Sequence, residues 1–190
     1  LIYNFGVLLF NRKVGLLSAF LLSFFPLDVV YSTRLMTDLP AAFFVALSVF
    51  FFLKSEKKDK KAISGILCFF SGLSLGIAYL IKELSLLIGL FFIIYVVYNR
   101  RIKSKYFVMA LGFILMYSIE LLFFLYTTGN PFYRSYIVET DWIPRIIATN
   151  YYGRGDFPSG LFHYPWDIFT DNLLGLFYPL IFIAIIYCIS

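Results

Sequence analysis

Charge is scarce in this sequence. Only 14% of its 190 residues are Asp, Glu, Lys or Arg, while 61% are hydrophobic and 22% aromatic. A water-soluble domain of this length cannot hide so much apolar side chain, and that class is excluded. Histidine and cysteine are scarcer still, at one and two residues. His163 stands alone, and Cys68 and Cys188 both sit in apolar runs, where a free thiol packs as a small hydrophobe. No Cys/His cluster has the spacing of a metal site. A glycine-rich phosphate loop and a nucleophile elbow are also missing, so nothing supports the chemistries those motifs carry. No charged n-region precedes a small-residue cleavage site, and no removable signal peptide is expected.

What is present is hydrocarbon, arranged in runs. With a mean hydropathy of +0.85, the chain reads as an all-α, polytopic transmembrane helix bundle of about six to seven spans with one long outer loop. The chain begins with Leu rather than Met, and Leu1–Phe10 and Leu173–Ser190 both read as truncated helices, so a fragment is expected. Residues 1–126 are expected to form the membrane core, 127–172 an extracytoplasmic loop, and 173–190 the start of a further span.

In order, the polar turn Asn11–Lys13 ends the first run, and a second span follows over Val14–Ser32. The polar break Thr33–Asp38 comes next. The third run, Leu39–Leu53, has 15 residues, about 22 Å of helix against a hydrocarbon core of ~30 Å, so flanking residues must extend it or the bilayer must thin there. Lys54–Lys61 reads as an aqueous loop. The fourth span, Ala62–Ile81, carries Gly72 and Gly76 at the spacing that lets helix backbones approach closely. After the Lys82–Glu83 interruption come a short fifth span, Leu84–Tyr98, a basic loop, Asn99–Lys105, and a sixth span, Tyr106–Tyr126.

The net charge of +5 would suggest nucleic acid in a soluble protein. Here it follows loop orientation, and no nucleic-acid partner is expected. If loops alternate sides, Asn11–Lys13, Lys54–Lys61 and Asn99–Lys105 hold 11 of the 16 Lys and Arg residues, which makes that side cytoplasmic. The polar break, the Lys82–Glu83 turn and the long loop then face outward.

Five ionisable groups lie in or beside hydrocarbon on that outer side: Asp28, Arg34, Asp38, Lys82 and Glu120. Such groups are functional candidates by default, yet each has a plainer reading. Asp28 can be an interfacial residue beside Pro26. Asp38, two residues before Pro40, can cap the third helix. Arg34 can pair with Asp38 or reach lipid headgroups, or it can bind phosphate through its planar fork. Lys82 can reach headgroups or clamp a phosphate. Glu120, about 9 Å inside its helix by rise, needs a charged partner, a hydrogen bond from Tyr or Ser, or a proton. In the long loop, aromatics interleaved with Arg and carboxylates suit sugar binding, although an interfacial aromatic belt accounts for many of them.

The order Phe25-Pro26, Tyr31-Ser-Thr-Arg34, Asp38-Leu-Pro40, a Lys-rich loop, Ser71-Gly-Leu-Ser-Leu-Gly-Ile-Ala78, Lys82-Glu83 and Thr128-Gly-Asn-Pro-Phe-Tyr-Arg134 resembles the GT-C membrane glycosyltransferases. The closest branch is the dolichyl-phosphate-mannose protein mannosyltransferase and aminoarabinose-transferase-like group, glycosyltransferase family 39 and its relatives. The likeness covers most of residues 5–135.

The resemblance implies inverting transfer of a sugar from a polyprenyl-phosphate carrier (dolichyl or undecaprenyl phosphate) to a protein, lipid or glycan acceptor. Transfer would occur on the extracytoplasmic face of a prokaryotic plasma membrane. The family's catalytic carboxylate lies in a first outer loop that is not matched here and is expected upstream of Leu1. Asp38 then becomes a supporting catalytic candidate, and Arg34, Lys82, Glu83, Glu120 and Arg134 substrate-binding candidates. No cofactor is identified beyond the lipid-linked donor, and dependence on a divalent metal is left open. Two other classes fit the same charges: a transporter or flippase for a lipid-linked sugar, disfavoured by the lack of an inverted repeat, and a non-catalytic membrane scaffold.

Overall fold

The computed structural model describes residues 1–24, 37–100 and 103–142. The expectations for Asp28, Arg34, the rest of the long loop with His163, and the last span with Cys188 lie outside the described residues.

The described chain is helical throughout, with no strand. Its helices are α1 (Ile2–Leu9), α2 (Arg12–Ser23), α3 (Asp38–Glu56), α4 (Lys61–Ile81), α5 (Ile88–Asn99), α6 (Ser104–Thr128) and α7 (Tyr133–Ile137). A 3₁₀ turn, Glu83–Leu87, leads into α5, and a π-helical turn, Val138–Trp142, follows α7. Three helices, α3, α4 and α6, are long and apolar enough to cross a membrane, and Glu83–Asn99 is apolar but shorter. The count of six to seven spans is not confirmed, since α1 and α2 have only 8 and 12 residues.

Helix α4 is the axis of the bundle, with α3 packed on one side and α6 on another. Burial is inverted relative to a soluble core. Only 11% of the most apolar stretch of α6 is buried inside the protein, against 44% for α4. The large side chains Leu111, Ile114, Leu122 and Phe123 of α6 face outward, as lipid contact requires.

Small residues fill the helix contacts instead. A Cβ added at Gly72 would lie 1.9 Å from the Met109 carbonyl oxygen, and one at Gly112 would lie 2.4 Å from that of Phe69. The α4–α6 backbones therefore touch across reciprocal glycines, the close approach expected of Gly72 and Gly76. Between α3 and α4 the contact is polar. Ser71 Oγ donates to the Ser48 carbonyl at 2.8 Å, which leaves Ser48 Oγ to donate to Ser71 Oγ at 3.2 Å. Each such bond contributes about 0.6 kcal/mol on average in a membrane bundle.

Apolar packing is concentrated at one residue. Phe52, fully buried, meets the rings of Phe92, Tyr95 and Tyr106 at 4.9, 5.0 and 5.9 Å and so joins α3 to α5 and α6. Helices α1 and α2 form their own hairpin, closed by Gly6 against Gly15 and capped by Asn11, whose side chain accepts from Val14 N at 3.0 Å.

Two boundaries differ from the expectation for a physical reason. The third span is Asp38–Glu56 rather than Leu39–Leu53, so 19 residues reach across, about 28 Å. Helix α3 can include Lys54 and Glu56 because Lys54 lies over the Phe50 ring at 5.5 Å and Glu56 is ion-paired. The aqueous loop between α3 and α4 therefore shrinks to Lys57–Lys60. Likewise the long outer loop does not begin at Thr127. Thr127 and Thr128 close α6, Gly129 turns the chain with φ 73°, and α7 follows.

Candidate functional site

Helix α3 starts at Asp38 and the antiparallel α4 ends at Ile81, so Asp38 and Lys82 arrive at the same end of the bundle. There the Lys82 ammonium is ion-paired with the Asp38 carboxylate, both side chains about half exposed. Of the two readings of Asp38, the capping one does not hold. Thr37 occupies the cap position and Asp38 is the first helical residue, its carboxylate turned to Lys82. Lys82 leaves α4 in extended conformation, and its carbonyl is held by Ser85 N at 2.9 Å.

The adjoining residue, Glu83, belongs to a second and more enclosed group. Arg134 reaches back from α7 and places Nε 2.6 Å from Glu83 and Nη1 2.5 Å from Glu120. Its Nη2 donates to the carbonyls of Leu80 and Tyr79 at 3.2 and 3.4 Å, and its guanidinium lies 5.1 Å from the centre of the Tyr79 ring. Those carbonyls end α4 and have no partner within the helix, so a cation there satisfies them and complements the helix dipole. Burial alone would depress the Arg134 pKa. The hydrogen bond and charge of Glu120, with that of Glu83, outweigh it and raise the pKa above its ordinary value. Arg134 thus stays cationic, and the need of Glu120 for a partner is met: its side chain is 9% exposed.

The two groups differ in what a ligand could displace. An exposed pair such as Lys82–Asp38 contributes ~0–1 kcal/mol, so another anion can take the ammonium. Removing one partner of a buried pair costs about 3–5 kcal/mol, and the donors of Arg134 already point at protein acceptors. Lys82 and Asp38 are therefore the more easily separated pair, and Arg134 ties Glu83, Glu120 and the end of α4 together beside them.

The opposite end holds a network that the sequence reading missed. Glu56, 11% exposed, accepts from Lys103 at 2.5 Å, Lys105 at 2.8 Å and the Tyr106 hydroxyl at 3.1 Å. Helical phase carried the signal, because Glu56 lies one turn beyond Phe52 on the same face of α3. Reading Lys54–Lys61 as a loop discarded that phase. Among the described residues, no group of three or more His, Cys, Asp or Glu side chains is placed to hold a metal ion.

An apolar lipid-facing surface, contacts made by small residues and charges gathered at the two helix ends define a multi-pass membrane protein. Residues 1–124, about two thirds of the chain, match the family described as dolichyl-phosphate-mannose-protein mannosyltransferase. The chain belongs to that family of membrane glycosyltransferases. Asp38, Lys82, Glu83 and Glu120 lie inside the match and Arg134 just beyond it. No curated protein and no solved structure matches the chain.

Proposed function

We propose that this chain is part of an inverting glycosyltransferase that moves a sugar from a polyprenyl-phosphate donor to a protein, lipid or glycan acceptor. In this reading Lys82 binds the donor phosphate. The observation that carries it is the exposed Lys82–Asp38 pair beside a turn locked by Arg134. An ammonium so placed can exchange a carboxylate for a phosphate with little change in energy.

As the acceptor hydroxyl attacks the anomeric carbon, the bond from that carbon to the phosphate oxygen breaks. The phosphate, singly charged in the donor, leaves as a monoester with a second negative charge. A fixed cation beside it lowers the barrier because it interacts more strongly with the departing group than with the bound donor. Asp38, released from Lys82, is free to accept a sugar or acceptor hydroxyl. The acceptor proton passes to a carboxylate that the family resemblance puts in a first outer loop, which this sequence does not match. Glu83, Glu120 and Arg134 act on the substrate through the turn they hold, and Arg34 within the polar break is a further phosphate ligand in the same reading.

Sidedness follows from charge. Arg12 and Lys13, Lys57–Lys61, and Lys103 with Lys105 all lie at the bundle end opposite Lys82, and basic loops stay cytoplasmic. The Lys82 end then faces outward, where a lipid-linked sugar is used.

The test is transfer of radiolabelled mannose from polyprenyl phosphate to acceptor by the full-length protein in proteoliposomes. Transfer that falls on Lys82→Met supports the reading. Movement of the lipid-linked sugar across the bilayer without transfer would overturn it in favour of a transporter.

A further inference from the structure

At the end of the bundle away from Lys82, the short α3–α4 loop and the start of α6 enclose a cavity of about 360 Å³. Four lysines line it, Lys58, Lys61, Lys103 and Lys105, against two carboxylates, Glu56 and Asp59. Their bonding divides them. The Lys105 ammonium has three donors and three acceptors, Glu56 at 2.8 Å, Ser64 Oγ at 3.0 Å and the Ser55 carbonyl at 3.1 Å, so it is spent on the floor. Lys103 gives one bond to Glu56 and remains 45% exposed. Lys58 and Lys61 are exposed and pair with no described side chain. Helices α4 and α6 both start at this rim without a side-chain cap, so first-turn N–H groups add partial positive charge.

We infer that this cavity binds a phosphate-type anion, supplied either by an anionic phospholipid headgroup of the adjacent leaflet or by phosphate in solution. The buried Glu56 network makes the floor, and the exposed ammonium groups of Lys58 and Lys61, which pair with no described side chain, line the cavity with that of Lys103. A basic loop that merely sets orientation needs no such floor and leaves its lysines to water. A basic pocket between helices at a headgroup surface is instead a place where a phosphate loses little by leaving solvent. The inference rests on the membrane reading, not on sugar transfer.

The test compares binding of phosphatidic acid and of phosphatidylcholine to the full-length protein by native mass spectrometry from detergent. Wild type is expected to retain phosphatidic acid selectively. K58Q/K61Q, which alters exposed side chains only, is expected to weaken that binding by roughly 10- to 30-fold, with sugar transfer unchanged. R12Q/K13Q removes the same charge at the same membrane face outside the cavity and is expected to leave binding within about twofold. Displacement of the lipid by millimolar inorganic phosphate assigns the ligand to solution, and resistance assigns it to the headgroup; both support the site. Equal losses in the two double variants would overturn it, as would a wild type that neither prefers phosphatidic acid nor binds millimolar inorganic phosphate.

Discussion

Arg134 Nη1 lies 2.5 Å from Glu120 Oε1, which ties the helix after the α6 turn back to a position about two turns inside α6. The same guanidinium holds Glu83 and the last carbonyls of α4. One side chain thus joins three elements at the end where Lys82 emerges, and the stability and chemistry of that end are separable.

Removing Arg134 strands a carboxylate that is 9% exposed. Arg134→Ala is expected to destabilise the protein by about 3 kcal/mol, read as a lowered thermal midpoint in detergent. The double variant Glu120→Gln, Arg134→Met is expected to recover part of that loss, because the enclosed carboxylate is gone and the one left unpaired, Glu83, is about half exposed to solvent. A double variant no better than the single would show that the guanidinium matters through Glu83 and the α4 carbonyls rather than through Glu120.

Lys82→Met is expected to behave in the opposite way. Its pair is exposed and contributes ~0–1 kcal/mol, so expression and thermal midpoint stay near wild type. If Lys82 binds the donor phosphate as proposed, turnover of a polyprenyl-linked donor is expected to fall by about 10²-fold, the scale of losing one charged donor at a leaving group. Unchanged turnover would make Lys82 a structural partner of Asp38 and nothing more.

Helix contact predicts a contrast between two glycines of α4. At Gly72 an added Cβ would lie 1.9 Å from a backbone oxygen of α6, whereas at Gly65 nothing lies within 4 Å. Gly72→Ala is expected to force α4 and α6 apart at a cost of about 3 kcal/mol, the upper end of the usual range for overpacking a tight core. Gly65→Ala is expected to be neutral or to stabilise by up to ~1 kcal/mol through helix propensity. Thermal unfolding of the two variants side by side checks the crossing directly.

Orientation is open to a labelling experiment. Cys68 is fully buried, so with Cys188 replaced by Ser the background is low. Lys58→Cys and Lys82→Cys are expected to react with a membrane-impermeant maleimide from opposite sides of the bilayer. Labelling of both from one side would remove the outward placement of Lys82.

Hydrophobic content alone made this a helical membrane protein, since no soluble packing can cover 61% hydrophobic residues in 190. Periodic interruption of that hydrocarbon marked out Asp38, Lys82 and Glu120, because a charge beside lipid is conspicuous in any linear reading. Alternation of basic loops assigned those three to one end. Which charge meets which was beyond the sequence. Lys82 and Asp38 are 44 residues apart, and Arg134 and Glu83 are joined only where α7 folds back over the end of α4. Glu56 was read as part of a loop although its phase with Phe52 was legible, because only the packed bundle brings Lys103 and Lys105 from the start of α6 to neutralise it. The linear chain determines where charge is expensive. Only the packed bundle decides which partner relieves it, because that choice depends on helix crossings set by glycines and serines whose contacts lie dozens of residues away.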